Sequence, residues 1–279
     1  MFNNHARCRC DQGSARSAPG AFWRLLPALL LGLGLGLSAG AWGQDAQPRL
    51  LQVCIADEEV PPYTSMRQPE ALGQTALREA AGRQGWQVQF SIRPWRRCLA
   101  DTGSGHFQAI LPISPTAVNR PRLKFPEQAG QVDFALMLGE MRVLVMRQQG
   151  SSAEWDGQRF SGLTGPVLYL GGLSVLDAFF ANSGQASDSN AKTALSMGRM
   201  LLAQRSNVAV DLEDRVLNLL AQDEFRGRLE VLPRPLLNAP VFLAVSPSLY
   251  AESPQAVEQL WRDMAKLFRA AIEQHAKSR

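Results

Sequence analysis

Histidine is nearly absent from this chain, with three in 279 residues. Only His106 and His275 lie beyond residue 43, one in an expected turn and one in an expected tail. Gly-x-Ser-x-Gly, His-Glu-x-x-His and phosphate-loop motifs are missing as well. The usual nucleophile, metal and phosphate chemistries therefore have no recognisable carrier. The reading is of a protein that is not an enzyme and needs no cofactor or metal. Basic runs are also missing: 29 Lys and Arg face 25 Asp and Glu, for a net charge of +4. Without a basic stripe interleaved with aromatics, a nucleic-acid surface is excluded. Tandem repeats are absent too.

Cysteine is scarce, and half of it lies near the start. Arg7, Arg9, Arg16 and Arg24 precede an apolar run over residues 25–38, and Ala41-Trp42-Gly43 follows with small residues. Charged, apolar and small segments in that order are expected of a secretory signal, here residues 1–43. The run falls short of the roughly 20 apolar residues that span a bilayer. No cysteine follows it closely, so a lipid anchor is not indicated. Cleavage after Gly43 leaves 236 residues with a net charge near +1, because the leader carries +3. That length supports one large or two small domains with real cores. The expected location is the periplasm. Cys8 and Cys10 depart with the leader, and Cys54 and Cys98 remain. An even pair in an exported protein reads as a disulfide.

Apolar patterning then alternates between strand and helix. Residues 50–55 form an apolar run of strand length. Residues 73–85 carry Leu77, Ala80 and Ala81 on one helical face. Val88, Phe90 and Ile92 alternate as in a strand. Pro94 ends it, and Trp95 opens a helix that includes Cys98. Residues 107–113 read as the next strand. In the second part, residues 134–138 and 141–146 read as extended, 155–163 as a short helix or turn, and 165–170 as a strand. Residues 175–180 read as a helix, 183–190 as a polar loop and 193–203 as a helix. A strand over 208–210 and a helix over 212–220 follow. Pro233, Pro235 and Pro240 punctuate a return to a last strand over 241–245. Ser253-Pro254 starts the clearest helix, Ser suiting its cap and Pro its first position. Val257, Leu260, Trp261, Met264, Leu267 and Phe268 recur there at helical spacing. Strands alternating with helices predict an α/β fold with mostly parallel sheets.

Four segments place small, polar or aromatic residues just past strand ends, where open α/β sheets bind ligands. They are Asp57 to Tyr63, Thr116 to Arg120, Gly171 to Ser174, and Asp211. Their split between two halves implies a receptor for a small solute held between two lobes. Gly172 and Ser174 would offer backbone N–H groups and a hydroxyl at a helix start, a geometry that suits anions. Tyr63, stiffened by Pro61-Pro62, is expected to face the cleft. Trp95 is expected mainly in the core and is a second candidate wall. Asp211, Glu213 and Asp214 compete as the acid of the second half.

The same residues carry a resemblance. Pro61-Pro62-Tyr63 after the first strand, Gly105-His106-Phe107-Gln108-Ala109 before the third, and Thr116 to Arg120 after it resemble motifs of the type 2 periplasmic solute-binding proteins. The branch is that of amino-acid receptors of ABC importers, and the resemblance spans residues 48–275. Two departures stand out. Gln108 occupies the place of an aspartate, and Thr116 precedes Arg120 by four residues instead of three. The resemblance implies a two-lobe fold with two hinge crossings, near residues 136–140 and 239–241. The first lobe would comprise residues 48–138 and 241–279, the second residues 139–240. It further implies a monomer, with an ABC permease or another membrane protein as partner. Arg120 would hold a ligand carboxylate through its planar fork, the competing partner being a structural acid such as Glu127. Asp211 or a neighbouring acid would meet a ligand ammonium. Some relatives of the fold are prephenate-type dehydratases, for which Asp57 or Glu58 would have to serve as the acid. A sensory or accessory subunit docking on a separate partner is the remaining alternative.

Overall fold

The computed structural model describes residues 49–278. The expected leader, with Cys8 and Cys10, lies outside them. The described residues form thirteen strands and seven helices. The first part holds β1 (Arg49–Ala56), α1 (Leu72–Arg83), β2 (Trp86–Arg93), α2 (Trp95–Gly103) and β3 (Ala109–Ile113). Two short strands, β4 (Glu127–Gln128) and β5 (Gln131–Val132), make a hairpin. The second part holds β6 (Gly139–Gln148), β7 (Glu154–Trp155), β8 (Phe160–Ser161), β9 (Val167–Tyr169) and α3 (Ser174–Ser183). It continues with β10 (Ser187–Asp188), α4 (Ala194–Leu202), β11 (Val208–Leu212), α5 (Glu213–Leu220) and β12 (Leu229–Val231). The chain returns through β13 (Leu237–Val245), α6 (Pro247–Glu252) and α7 (Pro254–Lys277).

One sheet runs β10-β9-β11-β6-β13-β3-β1-β2, with β12 also on β6. The outer strands of each lobe are parallel: β1 to β2 and β3, and β9 to β10 and β11. The antiparallel pairs gather at the centre. There β13 pairs with β6 through Leu237 to Val241 and with β3 through Phe242 to Val245. One strand thus belongs to both lobes.

Side-chain alternation explains why both faces of each lobe are covered. In β1, Val53 and Ile55 join a core with α1 and α7, while Cys54 faces a second core with Leu99, Phe107 and Phe242. In β11, Val208, Val210 and Leu212 face one side and Ala209 the other. A strand buried on both faces is the signature of a sheet sandwiched by helices. In α7, Val257, Leu260, Trp261, Met264 and Phe268 are buried at helical spacing. Burying a side chain such as Leu260 or Phe268 stabilises the fold by about 1.5–3 kcal/mol. Trp261 donates its ring N–H to the Leu243 carbonyl at 2.9 Å, so its one polar atom is satisfied. Cys54 and Cys98 are disulfide-bonded, with Cα atoms 5.4 Å apart.

Several local expectations are corrected. Residues 155–163 are neither helix nor simple turn but belong to the β7–β8 hairpin, with the Trp155 ring tilted against Phe160. Phe134–Leu136 is a single 3-10 turn, capped by Asp133, whose Oδ1 accepts from Ala135 N at 2.9 Å. The expected polar loop contains edge strand β10. Pro254 opens α7, but Ser253 makes no side-chain cap. Its Oγ instead accepts from Arg49 at 2.9 Å.

Candidate functional site

Four strand ends converge where the lobes meet. Asp57 and Glu58 follow β1, and the Asp57 N–H donates to the Arg93 carbonyl at 3.1 Å, one bond beyond the paired register of β1 and β2. Pro94, Trp95 and Arg96 follow β2 as α2 begins. Leu170 to Leu173 link β9 to α3. Arg215 lies in the first turn of α5, after β11.

These segments line a cavity of about 340 Å³, with Asp57, Glu58, Trp95 and Arg96 from the first lobe and Gly172, Leu173, Lys192 and Arg215 from the second. A smaller, mostly apolar pocket adjoins it, lined by Ala56, Val60, Pro112, Met141 and Leu212 and sharing Glu58, Trp95, Leu173 and Arg215 with it. A polar cavity beside an apolar pocket suits a small solute with charged groups on a short carbon skeleton.

Gly172 is required by its backbone conformation. Its φ of +104° is one that L side chains rarely adopt. A Cβ there would also stand 2.9 Å from Nε of Arg96, which crosses from the other lobe. The lobes are further joined by Asn119, which is fully buried. Its Nδ2 donates to the Ser114 carbonyl at 2.8 Å and to Ser174 Oγ at 2.9 Å.

The strongest electrostatic feature is a triad. Arg215 donates through Nη1 to Asp211 Oδ1 at 3.0 Å and through Nη2 to Glu58 Oε1. Glu58 belongs to the first lobe and Arg215 to the second. Asp211 has no solvent exposure, and Arg215 only 16 %. Burial pushes the Asp211 carboxyl up, opposed by the adjacent guanidinium and by the Leu212 N–H, which donates to the same oxygen at 2.8 Å. Asp211 Oδ2 has no hydrogen-bond partner.

The expected site residues are thus divided. Asp57, Trp95 and Gly172 line the cavity together. Trp95 also packs against the core around the disulfide. Ser174 is the first residue of α3, but its hydroxyl is engaged by Asn119 at the lobe contact. Asp211 lies beneath the cavity and reaches it only through Arg215. Of its competitors, Glu213 pairs with Arg142 at 2.6 Å and Asp214 borders a different cavity. Arg120 does not line the cleft cavity: it is exposed and pairs with Glu127 at 3.2 Å. Glu127, the structural acid, is therefore its partner here.

Tyr63 also departs from expectation. It is 5 % exposed, stacks on Phe268 at 5.4 Å and donates to the Glu140 carbonyl at 3.3 Å. It borders the second cavity, of about 250 Å³, with Glu140, Arg142, Glu213 and Asp214. Burial, then the charges of Glu140 and Asp214, push its phenol up from 10.0 to about 12. The fold favours the neutral phenol, so this contribution is complete below pH 10 and is lost as pH rises toward 12. Tyr63→Phe should therefore flatten the alkaline fall in stability relative to wild type. Urea midpoints of both proteins at pH 10 and 12 measure it, and equal slopes would refute it. Tyr169 and Tyr250, also raised, are common to both proteins.

Arg96, Lys192 and Arg215 were not among the residues expected from sequence. Only Arg215 had a signal, its place four residues after Asp211, where a helix start brings the two side chains together.

No family model matches the chain, and no curated protein does. Solved structures do match. A histidine kinase sensor domain with similarity to periplasmic binding proteins aligns at TM-score 0.61 and 15 % identity, over 83 % of this chain and 96 % of that one. An ancestral arginine-binding protein bound to arginine aligns at 0.59 and 13 %, over 82 % and 98 %. The GluR0 ligand-binding core from Nostoc punctiforme, in complex with L-glutamate, aligns at 0.58 and 13 %, over 80 % and 98 %. With strand order, a shared central strand and an interlobe cavity already in hand, these likenesses show that the chain has the two-lobe α/β fold of the type 2 periplasmic binding proteins.

Proposed function

We propose that this chain is a periplasmic solute-binding protein that captures a small carboxylate-bearing solute, an amino acid or related organic acid, for an ABC importer. The observation that carries this reading is the interlobe cavity, where Asp57, Glu58 and Arg96 of the first lobe face Lys192 and Arg215 of the second around the Trp95 ring. L-glutamate and arginine, the ligands of two similar structures, support the same solute class. Residues 1–43 would deliver the protein as a signal peptide. The first lobe would be residues 48–138 with 241–279, and the second residues 139–240. Closure as a monomer would bend the paired strands β6 and β13, a known form of hinge motion. Likeness to a histidine kinase sensor domain supports a second reading, in which the same capture step serves a sensory or accessory partner. A dehydratase role has less support, since Glu58 is held by Arg215 and Asp57 is exposed.

A thermal-shift screen of amino acids, polyamines and small organic acids tests the reading. A specific ligand at a hundred times its Kd should stabilise the protein by about 2.7 kcal/mol. Arg96→Ala should then lower affinity at least about 30-fold, the loss of a charge-assisted contact. Arg120→Ala should change it little. No stabilisation by any of these solutes at millimolar concentration would overturn the proposal.

A further inference from the structure

The charges of the cleft are unevenly compensated, and this bears on the solute class within the reading above, on which the inference rests. Glu58 and Asp211 both lie on the Arg215 guanidinium. An ammonium group approaching either acid would meet a cation already bound to one oxygen of each. The remaining acid of the cavity, Asp57, is exposed. Arg96 and Lys192 line the same cavity from opposite lobes, and neither has an acid partner among the described residues. The start of α3 adds the positive end of a helix dipole at Gly172 and Leu173. Among the cavity's side chains without an ion-pair partner, two cations thus stand against one acid.

An α-amino acid would bring its ammonium toward Arg96 and Lys192, with Glu58 and Asp211 already on Arg215 and only the exposed Asp57 without a partner. Like-charge juxtaposition of this kind is one way a site discriminates against a ligand. We infer that the cleft selects short organic acids without an ammonium group over the matching α-amino acids. Arg215 serves as a built-in cation where an amino acid would present its own. A carboxylate would sit between Arg96 and Lys192, its carbon skeleton against Trp95 and Leu173.

Calorimetric titrations with matched pairs test this: glutarate against L-glutamate, succinate against L-aspartate, and propionate against L-alanine. In the pair that binds best, the acid without the ammonium should bind at least about tenfold more tightly, the cost of one unfavourable charge contact. Lys192→Met should weaken that acid by about tenfold with the melting temperature unchanged, as expected of an exposed lysine. Arg215→Met, where it folds, should narrow the preference by exposing Glu58 and Asp211 to the ligand. Equal or tighter binding of the amino acid by the wild type would overturn this inference and leave the solute-binding reading standing. Unchanged acid affinity in Lys192→Met would likewise overturn it. Binding of no member of any pair, and of nothing in the wider screen, would overturn both.

Discussion

Arg215→Met should lower folding stability by about 3–5 kcal/mol, the usual cost of breaking one side of a buried ion pair. The reason is the carboxylate left behind. Asp211 is fully buried, one of its oxygens already lacks a partner, and burial pushes its pKa up even with Arg215 in place. Without the guanidinium that upward shift grows. A carboxyl with a raised folded pKa favours the folded state while protonated, so the variant should lose stability as pH rises through and above the ordinary carboxylate range. The double variant Asp211→Asn/Arg215→Met should recover most of the loss, because the uncompensated charge is gone. Urea denaturation of the three proteins at acidic and neutral pH measures these differences. A loss below about 1 kcal/mol in the single variant would mean that Asp211 is neutral or solvated.

Removing the disulfide should cost about as much. Cys54 and Cys98 are 44 residues apart and both fully buried. Cross-linking a loop of that length restricts the unfolded chain by roughly 4 kcal/mol in the entropy model. The bond also ties the centre of β1 to α2, which carries Trp95 and Arg96 at its start. Cys54→Ala/Cys98→Ala should therefore lower the melting temperature by about 8–16 °C in a chain of this size. It should also loosen the first-lobe wall of the cleft, read as faster amide hydrogen exchange in α2 than in α4. A change under about 2 °C would show that packing of the two side chains, rather than their bond, holds this corner.

The long elements were legible because periodicity is a local property. In α7 the spacing of Val257, Leu260, Trp261, Met264 and Phe268 specifies both the helix and its buried face. In β2 the alternation of Val88, Phe90 and Ile92 marked the strand, although Ile92 itself is exposed. Two-residue strands have no period to read, so the β7–β8 hairpin escaped. The apolar run Phe134–Leu136 looked extended, but the Asp133 side chain offers its backbone a turn instead. Asp57, Trp95 and Gly172, which line one cavity, could be singled out because ligands of α/β sheets collect at strand ends, and strand ends are visible in a sequence.

The amino-acid sequence alone determined the α/β class, the pairing of Cys54 with Cys98 and the strand ends around which a cleft forms. Only the tertiary structure decided which charges that cleft can offer a solute. Arg120 and Arg215 are the same residue type, each just past a strand. One pairs with Glu127 seven residues away, and the other both with Asp211, four residues away, and with Glu58, 157 residues away in the opposite lobe. Local periodicity reports which side of an element a residue occupies. Whether a guanidinium is compensated depends on groups that meet through the chain's long-range path, and Coulomb energy follows distance in space, not separation in sequence.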